Sequence, residues 1–160
     1  MPSKLFTYKS RSSFTTVTWR FCESAEIDPA IKPKGKLQMV GPEEVYETWK
    51  FLFDGQVRER FVVLWLSATN RVNGFEVISE GSLNATIVHP REVFRGAIVA
   101  TAGSIILLHN HPSGNPDPSN EDKMLTRQVV EAGKIIGIPV YDHMIFAGNK
   151  YTSFAERGLL

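Results

Sequence analysis

The sequence holds a single cysteine, Cys22. No disulfide can close within the chain, and a zinc finger built on paired cysteines is excluded. No apolar run approaches the ~20 residues that a membrane-spanning helix needs. The first residues, MPSKLFTYKS, lack the apolar stretch of a signal peptide. Charge of one sign is not in excess: 18 Lys+Arg face 17 Asp+Glu, for a net charge of +1. No global field therefore draws the protein to nucleic acid or to a membrane. Internal repeats and low-complexity tracts are also missing. A lone free cysteine fits a reducing compartment, so the expectation is a cytoplasmic protein with no membrane partner.

What is present suits one core. The 160 residues are 42% apolar and 22% charged, ordinary globular usage for one domain. Charge is uneven along the chain. Residues 1–36 hold seven basic and three acidic residues, while 37–160 hold 11 basic and 14 acidic. The change falls at the linker-like Ile31-Lys32-Pro33-Lys34-Gly35-Lys36. Residues 1–40 read as an N-terminal extension, partly β through Phe14 to Phe21 (FTTVTWRF), and 41–160 as the main domain.

Within the main domain, Pro42 suits a first helical turn, with Val45, Trp49, Leu52 and Phe53 on one face and Gly55 as the stop. Phe61 to Leu66 is wholly apolar, as a strand buried on both faces should be. Residues 67–74 read as a turn, Phe75 to Ser79 as a strand, and Leu83 to Val88 as a further strand. Pro90 opens a second helix with Val93, Phe94, Ala97 and Ile98 inward, closed by Gly103. Ile105 to Leu108 reads as a buried strand. A third helix is expected from Asn120 to Ile136, with Leu125, Val129, Ala132 and Ile136 on one side and Gly137 as its stop. Val140 to Phe146 and Lys150 to Phe154 flank Gly148-Asn149, a hairpin signal. The order predicts an α/β (α+β layered) domain, a mixed sheet flanked by helices.

The segment His109-Asn110-His111-Pro112-Ser113-Gly114-Asn115-Pro116-Asp117-Pro118-Ser119-Asn120-Glu121-Asp122 carries the chemistry. Side chains alternate along a strand, so His109 and His111 point one way and Asn110 the other. Two imidazoles on one face can grip one metal ion. The prolines and Gly114 then turn the chain. Ser119 is a natural N-cap, and Asp122 falls in the first turn of the third helix, where its carboxylate can swing back as a third ligand. Taken alone, Ser-x-x-Asp is a capping device. Two His and one Asp leave a fourth tetrahedral position open, as in catalytic rather than structural zinc sites.

His109-x-His111, then Asp122 after ten intervening residues with Ser119 before it, resembles the signature of JAMM (MPN+/JAB) zinc metalloproteases. The wider text is similar to bacterial RadC-like JAB-domain proteins. The matching stretches are Val88 to Phe94, His109 to Gly114, Glu131-Ala132-Gly133, Asp142-His143 and Ser153 to Leu160. The resemblance covers residues 41–160 and implies the JAB/MPN (cytidine deaminase-like) architecture. It implies Zn2+ as cofactor and hydrolysis of a peptide or isopeptide bond in an unknown protein or peptide. It also implies a glutamate off the metal that moves a proton from the attacking water to the leaving amine. On charge and placement alone Glu59, Glu76, Glu80 and Glu92 all qualify; the resemblance points to Glu59, two residues before Phe61. It further implies that Ser119 donates to the developing oxyanion. Full-length relatives carry a helix-hairpin-helix domain in front, for which residues 1–40 are too short and too β-like.

Other residues read as structural. His89 suits a helix cap, His143 a hydrogen-bonded pair with Asp142, and Trp19, Trp49 and Trp65 packing. Cys22 has no histidine near it in sequence. Two rival functions stand beside the peptidase. One is a DNA-repair-associated or DNA-binding accessory protein, suggested by the basic residues of 1–36. The other is a non-catalytic, metal-bearing interaction module. A homo-oligomer through the edge-like Phe14 to Phe21 is a further expectation. Nucleobase deaminases need Pro-Cys-x-x-Cys, which is absent, as is the His-Glu-x-x-His of helix-borne zinc proteases.

Overall fold

Proline fixes φ and lacks the N–H that a first helical turn leaves unpaired, so Pro42 is well placed to start a helix. In the computed structural model, which describes residue 39 and residues 41–81 and 88–160, helix α1 spans Pro42–Trp49. It tightens into a 3-10 turn, Lys50–Leu52, before Gly55 reverses the chain at φ +70°. Strand β1 follows at Arg60–Leu66 and β2 at Val72–Glu80. The turn expected over 67–74 is shorter than its composition suggests. Asn70 takes the left-handed φ of 58°, and β2 starts at Val72. Gly74 is a strand residue paired with Trp65; a Cβ there would lie 3.1 Å from the indole Cε3, so the glycine makes room for the ring.

Helix α2 is Pro90–Val99, strand β3 Ser104–Asn110, helix α3 Asn120–Ile136, and strands β4 and β5 are Val140–Ala147 and Lys150–Ser153. Helix α2 stops before Gly103, because Thr101 turns the chain at φ 50° and Gly103 already bonds to the Leu66 carbonyl at 2.7 Å. Helix α3 begins and ends where the sequence predicts, with Ser119 as N-cap and Gly137 in the left-handed conformation. The expected strand at Leu83 is outside the described residues, as are Phe14 to Phe21, Trp19 and Cys22.

The strands form one sheet in the order β2-β1-β3-β4-β5. Only β3 and β4 run parallel, joined across α3. Strand parity divides the core. Val62, Leu64, Leu66, Ile106, Leu108, Met144 and Phe146 face α1, with Val45, Trp49 and Phe53. Phe61, Val63, Ile105 and Leu107 face α2 and α3, with Val93, Phe94, Leu125 and Val129. Each such buried side chain contributes about 1.5–3 kcal/mol.

Two expected core residues are outside. Ile98 is 54% exposed and Ile136 41%. Gly96 lies against Trp65 and Glu76, which brings Val93, Gly96 and Ala97 inward and turns Ile98 out. Ile138 folds back to bond Gly133 at 3.0 Å and fills the place expected for Ile136. No helix among the described residues is long and apolar enough to cross a membrane.

Candidate metal centre

Parity fixes the first donor. His109 is the penultimate residue of β3, and its odd number turns the ring toward α3, where it is fully buried. Its register partner on β1 is Phe61. Beyond the strand, the His111 N–H donates to the Phe146 carbonyl at 2.8 Å, holding the chain straight for one more residue. Pro112 then ends pairing. The His111 ring nitrogen Nδ1 lies 2.8 Å from the Asn115 carbonyl. A carbonyl only accepts, so Nδ1 carries the proton and the neutral ring presents a bare Nε2.

The third donor comes from the start of α3. Ser119 and Asp122 form a reciprocal capping box: the Asp122 N–H donates to Ser119 Oγ at 3.0 Å, and Asp122 Oδ2 accepts from Ser119 N at 2.7 Å and Oγ at 2.6 Å. The cap sets the carboxylate over the strand end. Asp122 Oδ1 stands 3.3 Å from His109 Nε2, and Oδ2 3.4 Å from His111 Nε2. The two Nε2 atoms are 2.9 Å apart. His109, His111 and Asp122 are thus one group that could hold a metal ion. The fit is chemical as well as geometric. Three Lewis-basic groups converge on one point, where a cation, or a proton on His111, relieves their mutual repulsion. Two imidazoles and a carboxylate suit a first-row divalent ion.

The electrostatics favour positive charge at this point, whether an ion or a proton on His111 supplies it. Burial pushes the Asp122 carboxyl up, but the adjoining imidazoles and the Ser119 hydroxyl outweigh it and hold the group far below the usual carboxylate range. Burial lowers the pKa of His109 despite the opposing pull of Asp122. His111 is less enclosed, and its contact with Asp122 raises its pKa. The charge of Glu59 adds a smaller upward contribution at both rings.

Glu59 precedes β1 and is half-buried. With Val57, Arg58, Gly81, Pro112 and Ser113 it lines a cavity of about 560 Å³, and its carbonyl accepts from Gly81 N at 2.8 Å. Glu76 pairs with Arg95, Glu80 with Arg60 and Glu92 with Arg95. Asn110 is a residue the sequence reading missed. Its side chain accepts from Arg60 N at 2.7 Å and donates to the Arg58 carbonyl at 3.1 Å, clamping both neighbours of Glu59. Nothing local signals this, since it depends on β1 meeting β3.

His89 caps α2, its Nδ1 accepting from Arg91 N at 3.3 Å. His143 pairs with Asp142 through its backbone, N–H to Oδ1 at 2.7 Å, but its ring does not, because successive residues of β4 face opposite sides of the sheet. It lies under the metal centre, Nε2 at 2.8 Å from His109 Nδ1 and Nδ1 at 2.6 Å from Thr126 Oγ1. Thr126 was not singled out, although its place one turn beyond Asp122 on α3 was a readable signal.

A mixed sheet with helices on it, ending in a His-His-Asp cluster, defines an α/β domain of JAB/MPN type. The chain belongs to the RadC-like JAB domain family, which matches residues 39–159. It is similar to the UPF0758 protein of Methanosarcina mazei, 43% identical over 129 residues, covering 81% of this chain and 56% of the relative. The UPF0758 protein of Symbiobacterium thermophilum is 47% identical over 128 residues, 80% of this chain and 55% of the relative. That of Desulforamulus reducens is 53% identical over 103 residues, 64% and 45% respectively. The chain spans about half the length of the curated relatives it matches.

Proposed function

We propose that this domain is a zinc-dependent peptidase or isopeptidase, cutting an amide bond in a protein or peptide. The observation that carries the reading is the convergence of His109 Nε2, His111 Nε2 and the Asp122 carboxylate within 3.4 Å of one another; Glu59 lines a cavity together with Pro112 and Ser113, which follow His111 in the chain. His109, His111 and Asp122 would hold the ion. When bound, zinc supplies Lewis acidity, enough to lower the pKa of a water from ~15.7 to about 7.

The protein's own groups do the rest. The Glu59 carboxylate takes the proton of the attacking water and returns it to the leaving amine, working as base and then acid. Asn110 keeps the Glu59 backbone in register with the end of β3. The Ser119 hydroxyl turns from Asp122 Oδ2 to the oxyanion that forms at the scissile carbonyl, and Asp122 Oδ2 keeps the Ser119 N–H at 2.7 Å.

The test uses a proteome-derived peptide library, with new N termini read by mass spectrometry, and zinc measured by elemental analysis. Wild type should carry zinc and generate new termini. Glu59→Gln should keep the zinc and lose turnover by roughly 10²–10⁴-fold. His111→Ala should lose both. Undiminished cleavage by Glu59→Gln would remove that residue from the mechanism, and zinc-free wild type would remove the metal.

A further inference from the structure

The metal-facing atom of His109 is set from the far side of its ring. Thr126 Oγ1 lies 2.6 Å from the Asp122 backbone carbonyl and 2.6 Å from His143 Nδ1. A hydroxyl has one proton to give. The carbonyl can only accept, so the proton goes to Asp122, and the hydroxyl oxygen accepts from His143 Nδ1–H. Among the described residues, the fully buried His143 ring has two hydrogen-bond partners, Thr126 Oγ1 and His109 Nδ1, and as a neutral imidazole it has one N–H, which Nδ1 carries. Its Nε2 is then a bare lone pair. The atom 2.8 Å away, His109 Nδ1, must carry the proton between them. A neutral His109 protonated at Nδ1 has a bare Nε2, and that is the atom beside His111 Nε2 and Asp122 Oδ1.

We propose that Thr126 and His143 are positioning residues that lock His109 in its Nδ1–H tautomer and so keep Nε2 open to a divalent cation. The proposal rests on the zinc reading above. The opposite polarity is self-consistent within the chain of rings: Thr126 donates to His143, His143 Nε2–H to His109, and His109 places an N–H in the metal centre. That arrangement binds no metal through His109. The Asp122 carbonyl decides between the two, just as the Asn115 carbonyl decides for His111. Each ligand tautomer therefore traces to one backbone carbonyl, and the Asp122 residue that offers a carboxylate to the ion also orients the histidine opposite.

The test joins zinc affinity to a direct reading of proton position. Long-range ¹H–¹⁵N NMR of the zinc-free wild type should show His143 and His109 both protonated at Nδ1. Thr126→Val should weaken Zn2+ binding by roughly 10–100-fold, the usual effect of losing a group that orients a ligand, measured by competition with a chromophoric chelator. It should also let His109 populate the Nε2–H tautomer, which a merely structural role would not do. Thr126→Ser should restore both readings. His109 protonated at Nε2 in the wild type would overturn the proposal whatever the variants do, as would Thr126→Val with unchanged affinity and tautomer. If wild type showed the derived tautomers yet bound no Zn2+, the zinc reading would fall while the tautomer chain stood.

Discussion

Two aspartates on opposite faces of the sheet are equally buried, Asp122 and Asp142 at 6% exposure each, and their surroundings differ in kind. Among the described residues, the hydrogen-bond partners of Asp142 are all donors. Its Oδ1 accepts from His143 N at 2.7 Å and Ala155 N at 2.9 Å, and its Oδ2 from Ser153 Oγ at 2.6 Å. Burial nevertheless raises its pKa. Asp122 meets Ser119 donors on Oδ2 alone, while Oδ1 faces the imidazole of His109. A buried carboxylate ringed by donors is finished as a structural element. One that shares its space with two imidazoles keeps an oxygen for a positive charge. The depth of burial does not separate the two roles; the polarity of the neighbours does.

Replacing each aspartate by alanine is the sharpest way to break this contrast. Asp122→Ala should reduce zinc content from equimolar to trace, by elemental analysis, and leave a cooperative fold. Asp142→Ala should retain the zinc. It should cost about 3 kcal/mol in urea denaturation, the upper end for stranding buried donors. Zinc lost equally in both variants would erase the distinction.

The sequence marks Asp122 as a ligand candidate and Asp142 as half of a hydrogen-bonded pair with His143, and it does not show the other donors to Asp142. Asp122 stands out because its relation to Ser119 is a local spacing, and because His109 and His111 lie at strand parity. Both signals need only a few neighbouring residues. The elements themselves were readable for the same reason: Pro42, Pro90, Ser119 and Gly137 mark ends by local backbone chemistry. Misreadings arose where tertiary contact decides. Gly74 looked like a turn because its reason for being glycine is Trp65, on another strand. Asp142 does bond its sequence neighbour His143, at the backbone N–H, but the partner of the His143 ring, His109, is reached only through the parallel register of β3 and β4. Ile98 and Ile136 followed the helical period but lost their places to Gly96 and Ile138 contacts that no period encodes.

A smaller effect follows from acidification. The α3 face holds two imidazoles whose pKa is lowered by burial, His109 and His143. An unfolded histidine takes a proton near pH 6.5, before these folded ones do, so the unfolded state binds more protons below that pH and stability falls. His111 works oppositely: its raised pKa gives a contribution already complete below 6.5. The metal-free protein should therefore lose up to about 1 kcal/mol for each buried imidazole between pH 6.5 and 5.5. The urea midpoint of chelator-treated protein measures it, and a midpoint that is flat or rises over this interval would mean that these rings are not held neutral.

The smallest perturbation takes one hydroxyl from each carboxylate. Ser153→Ala deletes the Oγ donor to Asp142 Oδ2, and Ser119→Ala the Oγ donor to Asp122 Oδ2 together with the side-chain cap of α3. Each should cost about 1 kcal/mol in the urea midpoint, the ordinary value of one hydrogen bond or one cap. On stability alone the pair is indistinguishable, so the comparison turns on the metal. Ser153→Ala should bind Zn2+ as wild type does, because Asp142 faces away from the centre. Ser119→Ala should bind it more weakly in chelator competition, because Oδ2 is then held by one hydrogen bond in place of two and the ion must do more of the ordering. Equal zinc affinities in the two variants would show that the Ser119 N–H, 2.7 Å from Asp122 Oδ2, suffices to orient the ligand.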